Sequence, residues 1–150
     1  MQARTIYLIK RVEVAIRLRM ETELKVLDLT PSQYTTLSIL ASHADATSSD
    51  LARRVLVTPQ SMSEMIIALG RKGLIHRSES PGNRRMFTIS LSAAGLALLE
   101  KAEARIDDVE KALFSPLSDV QLHELRSSLE TVLVGTRDHG AKRKTSGRAA

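Results

Sequence analysis

Five polar residues share one short stretch of this chain: Thr58, Gln60, Ser61, Ser63 and Glu64. Their side chains can read base-pair edges. Gln60 can pair bidentately with adenine, Glu64 can accept from a cytosine amino group, and the serines can meet bases or phosphates. Arg53, Arg54, Arg71, Lys72 and Arg77 flank this stretch as phosphate candidates, which would position the chain on DNA without specifying sequence. Arg84 and Arg85 follow a Ser-Pro-Gly-Asn run and suit a narrow, electronegative minor groove. Residues 48–87 carry seven Lys and Arg against three Asp and Glu, so the formal charge of +5 does not come only from the basic end. Two Phe and two Tyr in 150 residues give little for stacking unpaired bases. Duplex DNA is the partner these features imply.

Other chemistries find no foothold. The chain has no cysteine, which removes disulfide scaffolds, thiolate metal sites and cysteine catalysis together. His43, His76, His123 and His139 fall on different expected elements without ligand-like spacing, and Glu100 with Glu103 and Asp107 with Asp108 read as solvent faces of a helix. No glycine-rich phosphate loop or nucleophile elbow occurs, so neither catalysis, a metal site nor a cofactor is expected. The apolar stretch from Ile6 to Ile9 closes at Lys10, far short of a signal core or membrane span, and a cytoplasmic location is expected.

The reading residues need a helix held at its N-terminal end. Thr58 and Pro59 supply a cap and a first-turn proline, and the helix they start buries Met62, Met65, Ile66 and Leu69 on one side before Gly70 and Gly73 end it near Lys72. Thr47 and Asp50 start a shorter helix, about Ser48 to Val55, with only Leu56 and Val57 before Thr58. That spacing is a helix-turn-helix. Upstream, Thr30, Pro31 and Gln33 start a helix ending near His43. Downstream, Ile75 to Glu79 and Met86 to Leu91 alternate as a hairpin that turns through residues 80–83 and carries Arg84 and Arg85 at its tip. The expected fold class is mainly α with a small β-hairpin wing, a winged helix-turn-helix flanked by helices.

Those flanks carry apolar stripes. A first helix, about Ala3 to Leu27, repeats Ile6, Ile9, Val12, Ile16 and Met20. Ser92 caps a long helix with Leu99, Ala102, Ile106, Val109 and Leu113, and after Pro116 a last helix bears Leu122, Leu125, Leu129 and Val132. Burying one such large side chain stabilises by roughly 1.5 to 3 kcal/mol, so leaving this set in water is implausible. A two-fold homodimer through the terminal helices accounts for them, with Ile6, Ile9, Leu113, Leu122, Leu125, Leu129 and Val132 at the interface. The expected domains are a dimerisation helix at 1–29, the DNA-binding winged helix at 30–95, dimerisation helices at 96–136 and a disordered basic tail at 137–150.

The sequence resembles the MarR family of transcription regulators. The resemblance rests on LTPSQYTTLSIL at Leu29 to Leu40, DLARR at Asp50 to Arg54, LGRKGLI at Leu69 to Ile75 and NRRMFTISLSAAG at Asn83 to Gly95. It implies a triangular homodimer whose lobe separation answers a small-molecule or other signal. Arg85 matches the family's wing arginine, Asn83 stands in place of its aspartate partner, and Ser92 replaces a threonine. Glu64 stands where many relatives carry a basic or neutral residue. Tyr7, Arg11, Tyr34 and His43 are candidates to line an effector cleft. Two functions follow: a ligand-responsive repressor or activator reading a pseudo-palindromic operator, with repression favoured, or a dimeric ligand-binding or protein-interaction module that keeps the winged helix without reading an operator.

Overall fold

The computed structural model describes residues 3–80 and 82–146, giving only the backbone course at residues 84, 85 and 137–146. Pro81 of the expected turn and residues 147–150 of the expected tail lie outside the described residues. Among the described residues, six helices and three strands run in the order α1 (Thr5–Lys25), α2 (Pro31–Ser42), β1 (Ala46–Thr47), α3 (Ser48–Val55), α4 (Pro59–Arg71), β2 (Ile75–Ser80), β3 (Asn83–Leu91), α5 (Ala93–Phe114) and α6 (Asp119–Ser146).

Local capping sets most of the boundaries. At α2, Thr30 Oγ1 accepts from the Gln33 amide at 3.2 Å while the Thr30 amide donates to Gln33 Oε1 at 3.1 Å, and Pro31 occupies the first turn. Thr47 and Asp50 form the same reciprocal pair at α3. The Asp50 carboxylate accepts from the Thr47 hydroxyl at 2.7 Å and the Thr47 amide at 3.2 Å. The Thr47 side-chain bond, then its backbone bond, hold the carboxyl below its ordinary pKa, with Arg53 adding to the effect. A depressed folded pKa contributes stability above the unfolded value of about 4, lost as pH falls through the folded one. Asp50→Asn is therefore expected to flatten the loss of stability below about pH 4 in urea titrations; an unchanged acid limb would show that the cap is not the titrating element.

The turn between α3 and α4 rests on Leu56, which adopts φ 62°, ψ 43° and is 89% exposed. A side chain in this left-handed conformation is strained, and its exposure provides no packing in return. Leu56→Gly is expected to raise stability by about 0.5–1 kcal/mol in thermal or urea melts, the relief of strain outweighing the added chain entropy. A destabilised variant would mean that the leucine packs in solution.

The sheet order is β1-β3-β2, antiparallel throughout. β1, unforeseen in the sequence, pairs Ala46 with Ile89 and Thr47 with Thr88. Two residues carry no periodicity, and partners some forty positions away define this strand. β2 and β3 pair from Ile75 with Leu91 to Glu79 with Phe87, then shift register so that Ser80 meets Asn83. β3 thus begins at Asn83, with Gly82 at φ 83° in the reversal. Arg84 and Arg85 belong to a strand beside this shift, which corrects their expected place at the hairpin tip.

The chain forms two compact units, residues 1–110 and 111–150. In the first, Leu24, Leu37, Leu51, Met62, Leu69 and Ile89 are fully buried and share their core with Leu99 and Ala102 of α5. The front of α5 therefore completes the winged-helix core, although its spacing reads as a pairing seam and the expected domain edge lies at residue 95. A core contact and a coiled-coil seam demand the same apolar steps. Ser92 caps α5, accepting from the Gly95 amide at 2.9 Å and donating to the Gly73 carbonyl at 2.6 Å. In the second unit, Ser118 and Gln121 form a capping pair and α6 runs to Ser146. α6 runs on through residues 137–146, the first part of the basic tail expected at 137–150.

Candidate nucleic-acid interface

α4 divides its residues sharply. Met62, Ile66 and Leu69 are buried, whereas Gln60, Ser61, Ser63, Glu64 and Arg71 are exposed. The buried set anchors the helix, and half-buried Met65 adds a sulfur that accepts from the Thr36 hydroxyl at 3.1 Å. Thr58 caps the first turn: its hydroxyl accepts from the Ser61 amide at 3.1 Å and donates to Ser61 Oγ at 2.9 Å. Ser63 Oγ donates to the Pro59 carbonyl at 3.0 Å, and Gln60 Nε2 reaches Glu64 Oε1 at 3.4 Å. The hydroxyls retain accepting lone pairs, and the long Gln60–Glu64 contact can yield to a base edge.

The expected phosphate contacts separate into groups. Arg54 and Arg71 are exposed. Arg53 is exposed but pairs with Asp50. Arg77 stacks over the Phe87 ring, 4.7 Å from its centroid, and lines a groove of about 440 Å³ between α4 and the sheet. Thr47, Ser48 and Ser49 face the same groove together with Ser63. The sequence showed these three only as a helix start, because their approach to α4 depends on how the two helices cross. Lys72 stands apart: its ammonium donates to the Asp28 carbonyl and pairs with the Asp28 carboxylate at 2.9 Å. Of the expected phosphate contacts, Lys72 is the one whose ammonium is engaged at the end of α1.

The four effector candidates fall on two helices, Tyr7 and Arg11 on α1, Tyr34 and His43 along α2 and at its end. Arg11 lies over the Tyr7 ring at 5.9 Å on exposed α1. Tyr34 lies half-buried near α5, where burial and then the charges of Glu103, Asp107 and Glu110 raise its hydroxyl pKa. His43 caps the other end of α2, about 13 Å along the axis at ~1.5 Å per residue. Neither the groove beside α4 nor a second cleft of about 340 Å³ between the ends of α1 and α4 is lined by any of the four. The pairing candidates present apolar surface within each unit: Ile6 is 82% exposed, Ile9 is also exposed, and on α6 Leu129 and Val132 are exposed. Leu113, Leu122 and Leu125 are half-buried. Among the described residues, no helix is long and apolar enough to cross a membrane, and no group of three or more His, Asp or Glu could hold a metal ion.

Comparison with known proteins identifies this arrangement. The MarR family model matches residues 29–87, from the start of α2 into β3. The HTH-type transcriptional repressor Rv2887 of Mycobacterium tuberculosis is 31% identical over 124 residues, covering 83% of this chain and 89% of the repressor. The chain belongs to the MarR family. A structure of the MarR family protein Rv2887 in complex with salicylic acid is 30% identical with a TM-score of 0.73, covering 87% of this chain and 97% of that one. Its complex with DNA gives a TM-score of 0.74 at 28% identity, over 87% and 98% of the two chains. The MarR match contains α3, α4 and both wing arginines, whereas α1, α5 and α6 lie beyond it.

Proposed function

We propose that this chain is a homodimeric, sequence-specific double-stranded DNA-binding transcriptional repressor that reads a pseudo-palindromic operator and responds to a small-molecule effector. The carrying observation is the exposed polar start of α4, with Gln60, Ser61, Ser63 and Glu64 outward over a buried Met62, Ile66 and Leu69. A helix so presented fits the major groove, where base pairs display distinct donors and acceptors. Arg54 and Arg71 supply phosphate contacts, and the wing carries Arg84 and Arg85 toward the neighbouring minor groove. The repressor name and DNA complex of Rv2887 support this reading over a module that reads no operator, and its salicylic acid complex supports an effector of that chemical kind.

The exposed apolar residues of α1 and α6 support pairing with a second copy. Two copies related by a two-fold axis would hold their reading helices about 34–36 Å apart, one turn of B-DNA. Selection of duplexes from a random pool, followed by titration of the winner across salt concentrations, tests the reading. A palindromic consensus and a log–log salt slope of about −0.9 per neutralised phosphate are expected, with a dimer by light scattering. A monomer that prefers no duplex over bulk competitor overturns it.

A further inference from the structure

Lys72 follows the last turn of α4 and Asp28 follows the last turn of α1, 44 residues earlier. The end of α1 is fixed by the chain itself: the Leu29 amide returns to the Leu24 carbonyl at 3.1 Å, the Asp28 amide to Lys25 at 3.0 Å, and Leu24 and Leu29 are buried. Asp28, at φ 54°, thereby offers its carbonyl and its carboxylate side by side, and the Lys72 ammonium takes both. The lysine side chain is 32% exposed and that of Asp28 93%. An exposed ion pair alone contributes little, but a cation on a carbonyl just beyond a helix C-terminus adds a charge-assisted hydrogen bond and a favourable dipole.

We propose that Lys72 is a positioning residue for DNA reading, tying the rear of α4 to the end of α1, and that it neutralises no phosphate. The proposal rests on the DNA-reading function above. At ~1.5 Å per residue, Gln60 and Ser61 lie about 17 Å along α4 from Lys72, so a rotation of about 5° at the tied end carries them about 1.5 Å. Productive contacts tolerate about 0.5 Å, so a tie remote from the bases can still control affinity. α1 also carries the exposed apolar residues offered to a second copy, which places the tie between the pairing helix and the reading helix.

The test compares full-length wild type, Lys72→Met, Lys72→Arg and Asp28→Asn on the duplex that wild type selects from a random pool. Binding is measured across salt concentrations, well below the melting temperature of each variant. Lys72→Met is expected to weaken binding about tenfold with its salt slope unchanged, and Asp28→Asn to weaken it about threefold. Lys72→Arg, which can still meet both acceptors, restores affinity. A phosphate contact gives the opposite pattern: the slope shrinks by about 0.9 for each lysine lost, and Asp28→Asn tightens binding by releasing Lys72 and removing an acid. That pattern overturns the proposal, as does wild-type affinity in Lys72→Met with only a lowered melting temperature. Should Lys72→Met fail to fold, the direction of the Asp28→Asn effect decides the matter. If wild type selects no duplex, the functional reading itself fails and the proposal with it; if wild type binds and the variants behave as phosphate-contact mutants, only the proposal fails.

Discussion

Gly95→Ala is expected to destabilise the fold by about 3 kcal/mol or more, in the upper range for overpacking a core. A Cβ at this position would stand 2.0 Å from the Leu74 carbonyl oxygen and 3.0 Å from its carbon, both backbone atoms that cannot rotate away. The neighbourhood is closely tied: the Ser92 amide donates to that same Leu74 carbonyl at 3.0 Å, and the Ser92 hydroxyl bridges the Gly73 carbonyl and the Gly95 amide. Admitting a methyl group means withdrawing α5 from the α4–β2 corner and breaking these bonds. Gly70→Ala is the control. A Cβ there meets nothing within 4 Å, and alanine in this last turn of α4 is expected to stabilise by up to about 0.5–1 kcal/mol. Urea denaturation of both variants checks the pair; a Gly95→Ala cost below about 1 kcal/mol would mean that α5 shifts with little resistance.

Arg85→Ala is expected to weaken binding to the selected duplex by about 1–3 kcal/mol for each wing engaged, roughly 5- to 150-fold. Arg85 brings a charge suited to the minor groove and lies on β3 beside the register shift between β2 and β3. If Arg85 reads the minor groove, the loss is greatest on duplexes with narrow A·T segments flanking the half-sites. If it meets only phosphate, the loss is uniform across sequences and the salt slope falls by about one. Unchanged affinity on every duplex would remove the wing from the reading surface.

Features that depend on neighbours a few positions apart are legible from residue order. Thr30 with Gln33, Thr47 with Asp50 and Ser118 with Gln121 each close within three residues, and all three helix starts were legible for that reason. The outward set on α4 was legible as well, because a helical period alone separates Gln60, Ser61, Ser63 and Glu64 from Met62, Ile66 and Leu69. The charges that could serve DNA were visible by type, but their availability was not. Lys72 turned to Asp28 and Arg77 to the ring of Phe87, partners that no local spacing announces.

Long-range packing sets β1, the place of Arg84 and Arg85 within β3 and the entry of Leu99 and Ala102 into the core. It also brought Thr47, Ser48 and Ser49 to the groove beside α4. Each of these depends on groups brought together by chain reversals, where one apolar or charged residue has several possible partners of equal chemistry. Local pattern sets which face a residue takes, while only the packing of elements sets what that face meets.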